Sequence, residues 1–101
     1  MTTKTMKNIN KVTGGRLTLG KAIRSIRLCE ETKQGDFAKR LRVAQSYLSD
    51  LENDRKEVSP SKAVEFARIL GQSEKQFIRL SLQDALHRQG IEYDVDIRDA
   101  A

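Results

Sequence analysis

The stretch Gln34-Gly35-Asp36-Phe37-Ala38-Lys39-Arg40-Leu41-Arg42-Val43-Ala44-Gln45-Ser46-Tyr47-Leu48-Ser49-Asp50-Leu51-Glu52-Asn53 decides the reading of this chain. Its periodicity predicts two short amphipathic helices joined by a tight turn. Phe37, Ala38 and Leu41 share one face of the first helix, and Leu48 and Leu51 fix the inward face of the second. Gln45, Ser46, Tyr47 and Asp50 then face elsewhere. An outer face of amides, a hydroxyl and a phenol, rather than mixed salt-bridging charge, presents hydrogen-bonding groups. That is the surface expected of a reader of DNA.

Working outward, the 101 residues suffice for one domain with a modest core. The composition, 38% hydrophobic and 33% charged, is that of an ordinary folded chain. One cysteine, Cys29, excludes an intrachain disulfide framework and a cysteine-based zinc cage, and a reducing cytoplasm is the expected compartment. Cys29 itself reads as a half-buried small residue. No apolar run approaches a signal-peptide core or a membrane span.

The net charge of +5 is unevenly distributed. Residues 1–16 carry Lys4, Lys7, Lys11 and Arg16 and no acid, whereas residues 73–101 carry four basic and six acidic side chains. A basic front and an acidic back suit approach to a polyanion, although a well-solvated surface gives the same count.

Residues 1–16 lack periodicity and read as a flexible basic tail. A first helix is predicted from Leu17–Leu19 to about Glu31, with Thr18 as N-cap and Leu19, Ala22, Ile23 and Ile26 buried. After a loop over 54–58, Ser59-Pro60 starts a fourth helix that buries Ala63, Val64, Phe66, Ala67, Ile69 and Leu70 and ends at Gly71. Ser73 and Gln76 form a capping box for a fifth. That helix continues through Leu82, Ala85 and Leu86 to about Gln89, longer than a compact bundle needs, so its far end is expected to pack on something else.

Next, Ile91-Glu92-Tyr93-Asp94-Val95-Asp96-Ile97 alternates apolar and acidic residues as a half-buried strand does. Nothing else in the chain reads as its partner. It is expected to pair with its own copy across a two-fold axis, with Leu82, Leu86, Ile91, Tyr93, Val95 and Ile97 as the dimer contacts; a frayed acidic tail is the other reading.

From Leu19 to Gly71 the chain resembles the Cro/lambda-repressor type helix-turn-helix family, the XRE-like regulators. The resemblance rests on Leu19-Gly20-Lys21, Arg27, Gln34, Ala38, Gln45 and Glu52-Asn53, in register across four helices. It implies an all-α, five-helix lambda-repressor-like DNA-binding domain over residues 17–72, with residues 73–101 serving dimerisation. Ala38 must be small where the second and third helices cross, and Val43 and Leu48 fill the wedge between them. Arg27 and Glu52, by the family pattern, meet as a partly buried ion pair. A fully buried pair of this kind costs about 3–5 kcal/mol when one partner is removed, a solvated one at most about 1 kcal/mol.

The family pattern also implies site roles. The helix over 45–52 enters the major groove, where Gln45 suits adenine, Ser46 several base edges, Tyr47 a thymine methyl or a phosphate, and Asp50 a cytosine amino group. Gln34, Asn53, Lys33, Arg55 and Lys56 fall near the DNA backbone. Arg42 stands where the family usually has Gly, so it must turn left-handed or change the turn, and it is placed to reach a phosphate. Ala44 replaces the usual Ser/Thr N-cap, a loss of about 1 kcal/mol. Thr32 and Asp54 replace a usual Leu and a common Gly.

The expected partners are double-stranded DNA and a second copy, with no membrane, no metal and no cofactor. An enzyme is not expected: His87 is the single histidine, and Gly14-Gly15 precedes no phosphate-binding turn. The leading function is a dimeric, sequence-specific transcriptional repressor. The alternative is an antitoxin that regulates its own operon and binds a toxin protein.

Overall fold

Thr18 opens the first helix by accepting a hydrogen bond from Lys21 N on its side chain, which fills one of the donors a helix start leaves open. The computed structural model describes residues 16–100; residues 1–15 of the predicted tail lie outside the described residues, and its last residue, Arg16, is held by Asp84 at 2.7 Å. Five helices follow in order: α1 (Leu19–Cys29), α2 (Gln34–Leu41), α3 (Gln45–Glu52), α4 (Pro60–Leu70) and α5 (Glu74–Arg88). None is long and apolar enough to cross a membrane among the described residues.

Helix α1 stops two residues before the predicted Glu31. Glu31 takes a left-handed φ of 54°, and Thr32 N bonds back to Arg27 O at 3.1 Å. This is the six-to-one closure that usually employs glycine. The early stop leaves Cys29 exposed rather than half-buried, and Leu28 is 48% exposed beside it.

Arg42 resolves its turn in the left-handed region, with φ 63° and ψ 41°, and Val43 N reaches Ala38 O at 3.0 Å. Ala44 then occupies the N-cap of α3 without a side-chain bond. Ser59 caps α4 by accepting from Lys62 N, Pro60 fills its first position, and left-handed Gly71 ends it. Ser73 caps α5 by accepting from Gln76 N. The capping box is one-sided, because the Gln76 side chain accepts from Arg79 at 2.8 Å.

The core draws Leu19 and Ile23 from α1, Phe37, Ala38 and Leu41 from α2, and Leu48 and Leu51 from α3. Opposite them lie Ala63, Phe66, Ala67 and Leu70 of α4, Phe77 and Leu80 of α5, and Val58 from the loop. Val64 and Ile69, predicted as core, are only half-buried. Helices α1 and α3 touch backbone to backbone: a Cβ on Gly20 would lie 1.9 Å from Leu51 O. Only glycine fits there.

The far end of α5 is anchored within the same chain, through Asp84 to the start of α1 and through Arg88 to the turn after α3. Asp84 accepts from Leu19 N at 3.1 Å and from Arg16 Nη2 at 2.7 Å, so it caps the first amide of α1. Arg88 donates to Asp54 O and Lys56 O at 3.0 and 3.2 Å. Leu82 and Leu86 are half-buried.

Residues 91–100 form no strand in the single chain. They run back along α5, held by Ile91 N to Leu86 O at 3.0 Å and by a 2.7 Å pair between Lys75 and Asp99. Between these points the Gln83 amide donates to Tyr93 O and accepts from Val95 N, both at 2.8 Å. One side-chain amide offers the donor and acceptor of a single peptide group, too little for a ladder. Ile91 and Tyr93 stay 41% and 76% exposed, while Val95 and Ile97 are half-buried against the helix.

Candidate nucleic-acid interface

Leu48 and Leu51, at 0% and 1% exposure, lock the rotation of α3 about its axis. Its first two residues, Gln45 and Ser46, are therefore turned to solvent. Tyr47 is half-buried and packs against the core, so its ring is braced and only part of it is available. Asp50 is also half-buried, with its Oδ1 accepting from Arg55 Nε at 3.2 Å. That pairing offsets the repulsion a bare carboxylate would exert on phosphate.

A polar relay runs behind this face. Arg27 donates from Nε and Nη2 to the two oxygens of Glu52, at 2.7 and 2.8 Å, and from Nη1 to Thr32 O at 3.1 Å. Glu52 is 5% exposed. The hydrogen bond to Glu52 holds the Arg27 guanidinium above its ordinary pKa, against the opposing effect of burial and with help from the carboxylate charge. Glu52 Oε1 also accepts from Gln34 Nε2 at 3.1 Å, and Gln34 Oε1 in turn accepts from Gln45 Nε2 at 3.4 Å. The outermost link is the loosest.

Gln34 thus stands at the first position of α2 with its amide between the ion pair and Gln45. The backbone N–H groups at the start of α2 and those at the start of α3 carry the partial positive charge of helix N-termini, where phosphate oxygens are favoured. Lys33, immediately before α2, is exposed, as are Arg42 in the turn and Arg55 and Lys56 after α3. Asn53, also exposed, donates from Nδ2 to Ser49 O at 2.8 Å and closes the end of α3. Asp54, left-handed at φ 60°, turns the chain outward.

Two contributors escaped the sequence reading. A Cβ on Gly35 would lie 3.2 Å from Gln45 Oε1, so this glycine keeps room for the first residue of α3. Its signal was available, since glycine near a helix start lowers helix stability and asks for a packing reason. Asp84 is the other, and a carboxylate two-thirds along a helix carries no mark of its target. The residues assigned to dimer contact do not gather on the α2–α3 face. Leu82 and Leu86 lie on α5, and Ile91, Tyr93, Val95 and Ile97 on the tail that follows it.

Comparison with known proteins gives a consistent set of matches. A family model described as Helix-turn-helix matches residues 23–77. A crystal structure of the clp gene regulator ClgR from C. glutamicum is similar at 32% identity and a TM-score of 0.52, covering 73% of this chain and 91% of that chain. A second crystal structure of ClgR from Corynebacterium glutamicum gives 33% identity and a TM-score of 0.52, covering 71% of this chain and 78% of that one. No curated protein matches the chain.

Proposed function

Because this chain belongs to the helix-turn-helix family of XRE-type, lambda-repressor-like DNA-binding transcriptional regulators, we propose that it is a dimeric repressor that reads a specific operator through α3. The carrying observation is the pairing of a rotationally locked α3 with an outward Gln45 whose amide is already met by Gln34. Gln45 takes an adenine through N6 and N7, Ser46 and Asp50 contact neighbouring base edges, and Tyr47 offers its exposed edge to a thymine methyl or a phosphate. Gln34, Lys33, Arg42, Asn53, Arg55 and Lys56 fix register on the phosphates.

A two-fold dimer places two half-sites one helical turn, about 10 bp, or a multiple of it apart. Leu82, Leu86, Ile91, Tyr93, Val95 and Ile97 supply its apolar contacts, with the tail released from Gln83 and added to its copy. Matching the apolar faces in an antiparallel pair sets Glu92, Asp94 and Asp96 against acidic residues of the second copy, which opposes association. The same acidic face supports a second reading. A basic partner protein meets it without repulsion, as in an antitoxin that regulates its own operon and binds a basic toxin.

Selection of bound duplexes from a random pool at 100–150 mM salt, followed by anisotropy titration, tests the first reading. Gln45→Ala should weaken binding to the selected operator by about 1–3 kcal/mol and leave the melting curve unchanged. Undiminished operator affinity in that variant would remove α3 as the reader. Co-purification with the product of an adjacent reading frame tests the second.

A further inference from the structure

Beside the α2–α3 face, and sharing Lys56 with it, a cleft of about 330 Å³ opens between the start of α1, the turn after α3 and the last turns of α5. That volume falls at the lower end of small-molecule sites. Its wall is strongly charged: Arg16, Lys21, Lys56 and Arg88 face the carboxylates of Asp54 and Asp84, with His87 beside them. Four cations against two lining carboxylates, with Glu57 at 3.8 Å from Arg88 Nε, leave a positive surplus.

Both carboxylates are already engaged. Asp84 is held by Arg16 and by Leu19 N. Asp54 accepts from the Thr18 hydroxyl and lies 4.0 Å from Lys21 Nζ. Arg88 is committed to the carbonyls of Asp54 and Lys56, with Glu57 at 3.8 Å.

The remaining donors have no such partners. Lys56 is exposed and enters none of the ion pairs among the described residues. Among the described residues Arg16 Nε is buried with no hydrogen-bond partner, although the side chain as a whole is 28% exposed. A buried donor left without an acceptor is costly, so an anion oxygen that reaches it is favoured. Donors from three separate elements converge on one cleft, and an ion with acceptor oxygens on several sides suits them better than a planar carboxylate does.

We propose that this cleft binds a small phosphate-bearing anion, gripped by Arg16 and Lys56 with His87 at its edge. The bound anion ties the end of α5 to the 54–56 turn, which flanks α3. The phosphate can come from a free phosphorylated small molecule or from the DNA backbone, and the two sources are separable. The free-anion arm of the test uses no DNA, so its outcome is independent of the operator reading tested with Gln45→Ala.

The experiment is an NMR titration of the full chain with inorganic phosphate and with pyrophosphate, against sodium chloride at matched ionic strength. It follows the Arg16 side-chain Nε–H signal and the amides of Lys21, Lys56 and His87. Binding produces saturable shifts with the phosphates and none with chloride. Arg16→Lys keeps the charge but loses Nε, and should weaken the apparent affinity at least tenfold. Lys56→Gln, an exposed loop change, should weaken it severalfold, which keeps the test open if Arg16→Lys perturbs folding. A duplex that shifts the same signals and competes with phosphate assigns the source to DNA; one that leaves them saturable assigns it to a free ligand. Shifts that rise in parallel with chloride, or that survive both substitutions, would reduce the effect to screening and overturn the proposal.

Discussion

Removing Arg27 as Arg27→Met should destabilise the domain by about 3 kcal/mol. The substitution deletes three donated bonds, two to Glu52 at 2.7 and 2.8 Å and one to Thr32 O at 3.1 Å, while methionine retains much of the apolar stem. Glu52, at 5% exposure, is left with Gln34 Nε2 as its remaining partner. Stranding a fully buried charge costs about 3–5 kcal/mol. The Arg27 side chain is 13% exposed and Gln34 still donates, so the lower end applies. In a domain of this size, about 4–8 °C of melting temperature accompanies each kcal/mol, or roughly 12–24 °C in all.

Urea unfolding with an unchanged slope is the assay. The double variant Arg27→Met, Glu52→Met should be less damaged than Arg27→Met alone, because it strands no charge. The sign with pH also follows. Arg27 is raised in the fold, so its contribution is complete below the guanidinium's unfolded pKa and declines only above it. The loss in Arg27→Met should therefore be equal at pH 7 and pH 9. A loss below about 1 kcal/mol, or a double variant no better than the sum of its parts, would show the pair to be solvated and the reasoning wrong.

Three further outcomes follow from single geometric features. Gly20→Ala places a Cβ 1.9 Å from Leu51 O and 3.1 Å from Asp54 Oδ1, so α1 must move off α3; thermal melts should register at least about 2 kcal/mol, and an unchanged melt would refute the close approach. Arg42→Gly removes a left-handed side-chain residue and Ala44→Ser supplies the missing cap, each adding about 1 kcal/mol of stability. If Arg42 meets a phosphate, Arg42→Gly also lowers the salt slope of operator binding by about one, which anisotropy over a salt series reads directly. Truncation after Gly90 should convert a strand-paired dimer to monomer by light scattering, and the full-length dimer should tighten with added salt as the facing acids are screened; weakening with salt would rule out the two-fold strand pair.

How much of this was legible in the sequence depends on where each signal lived. Ser59-Pro60, Gly71 and Ser73 are local punctuation, and α4 and the start of α5 lie where they place them. The register of α3 was readable because two leucines three apart leave one inward face. The end of α1 was not, since Glu31 carries no breaker signal and takes positive φ only because the six-to-one bond from Thr32 compensates it. The destination of α5 was hidden for a different reason. Asp84 and Arg88 satisfy backbone groups 65 and 34 residues away, and a helical position reports nothing about such partners. Alternation in the tail predicted a half-buried strand, which the single chain does not form, and it could not say that a glutamine on α5 meets one peptide's worth of the tail's backbone groups.

The relay behind α3 keeps Arg27 and Glu52 off its outer face, where the Asp50 carboxylate is met by Arg55 at 3.2 Å. A reader held by charged groups would carry their desolvation cost into the groove, and an acidic one would repel the phosphates. Here the charges sit at the back, in Arg27 and Glu52, where burial and two short bonds hold them. Gln34 carries that rigidity outward as a neutral amide, and its 3.1 Å bond to Glu52 is tighter than its 3.4 Å contact with Gln45. Gln45 is therefore positioned without being committed. On the proposed reading, exchanging the weak outer contact for two bonds to a base would leave the inner network intact. An amide whose partner lies on its own protein loses little freedom on binding, so in the proposed reading α2 contributes preorganisation to α3 rather than a further contact.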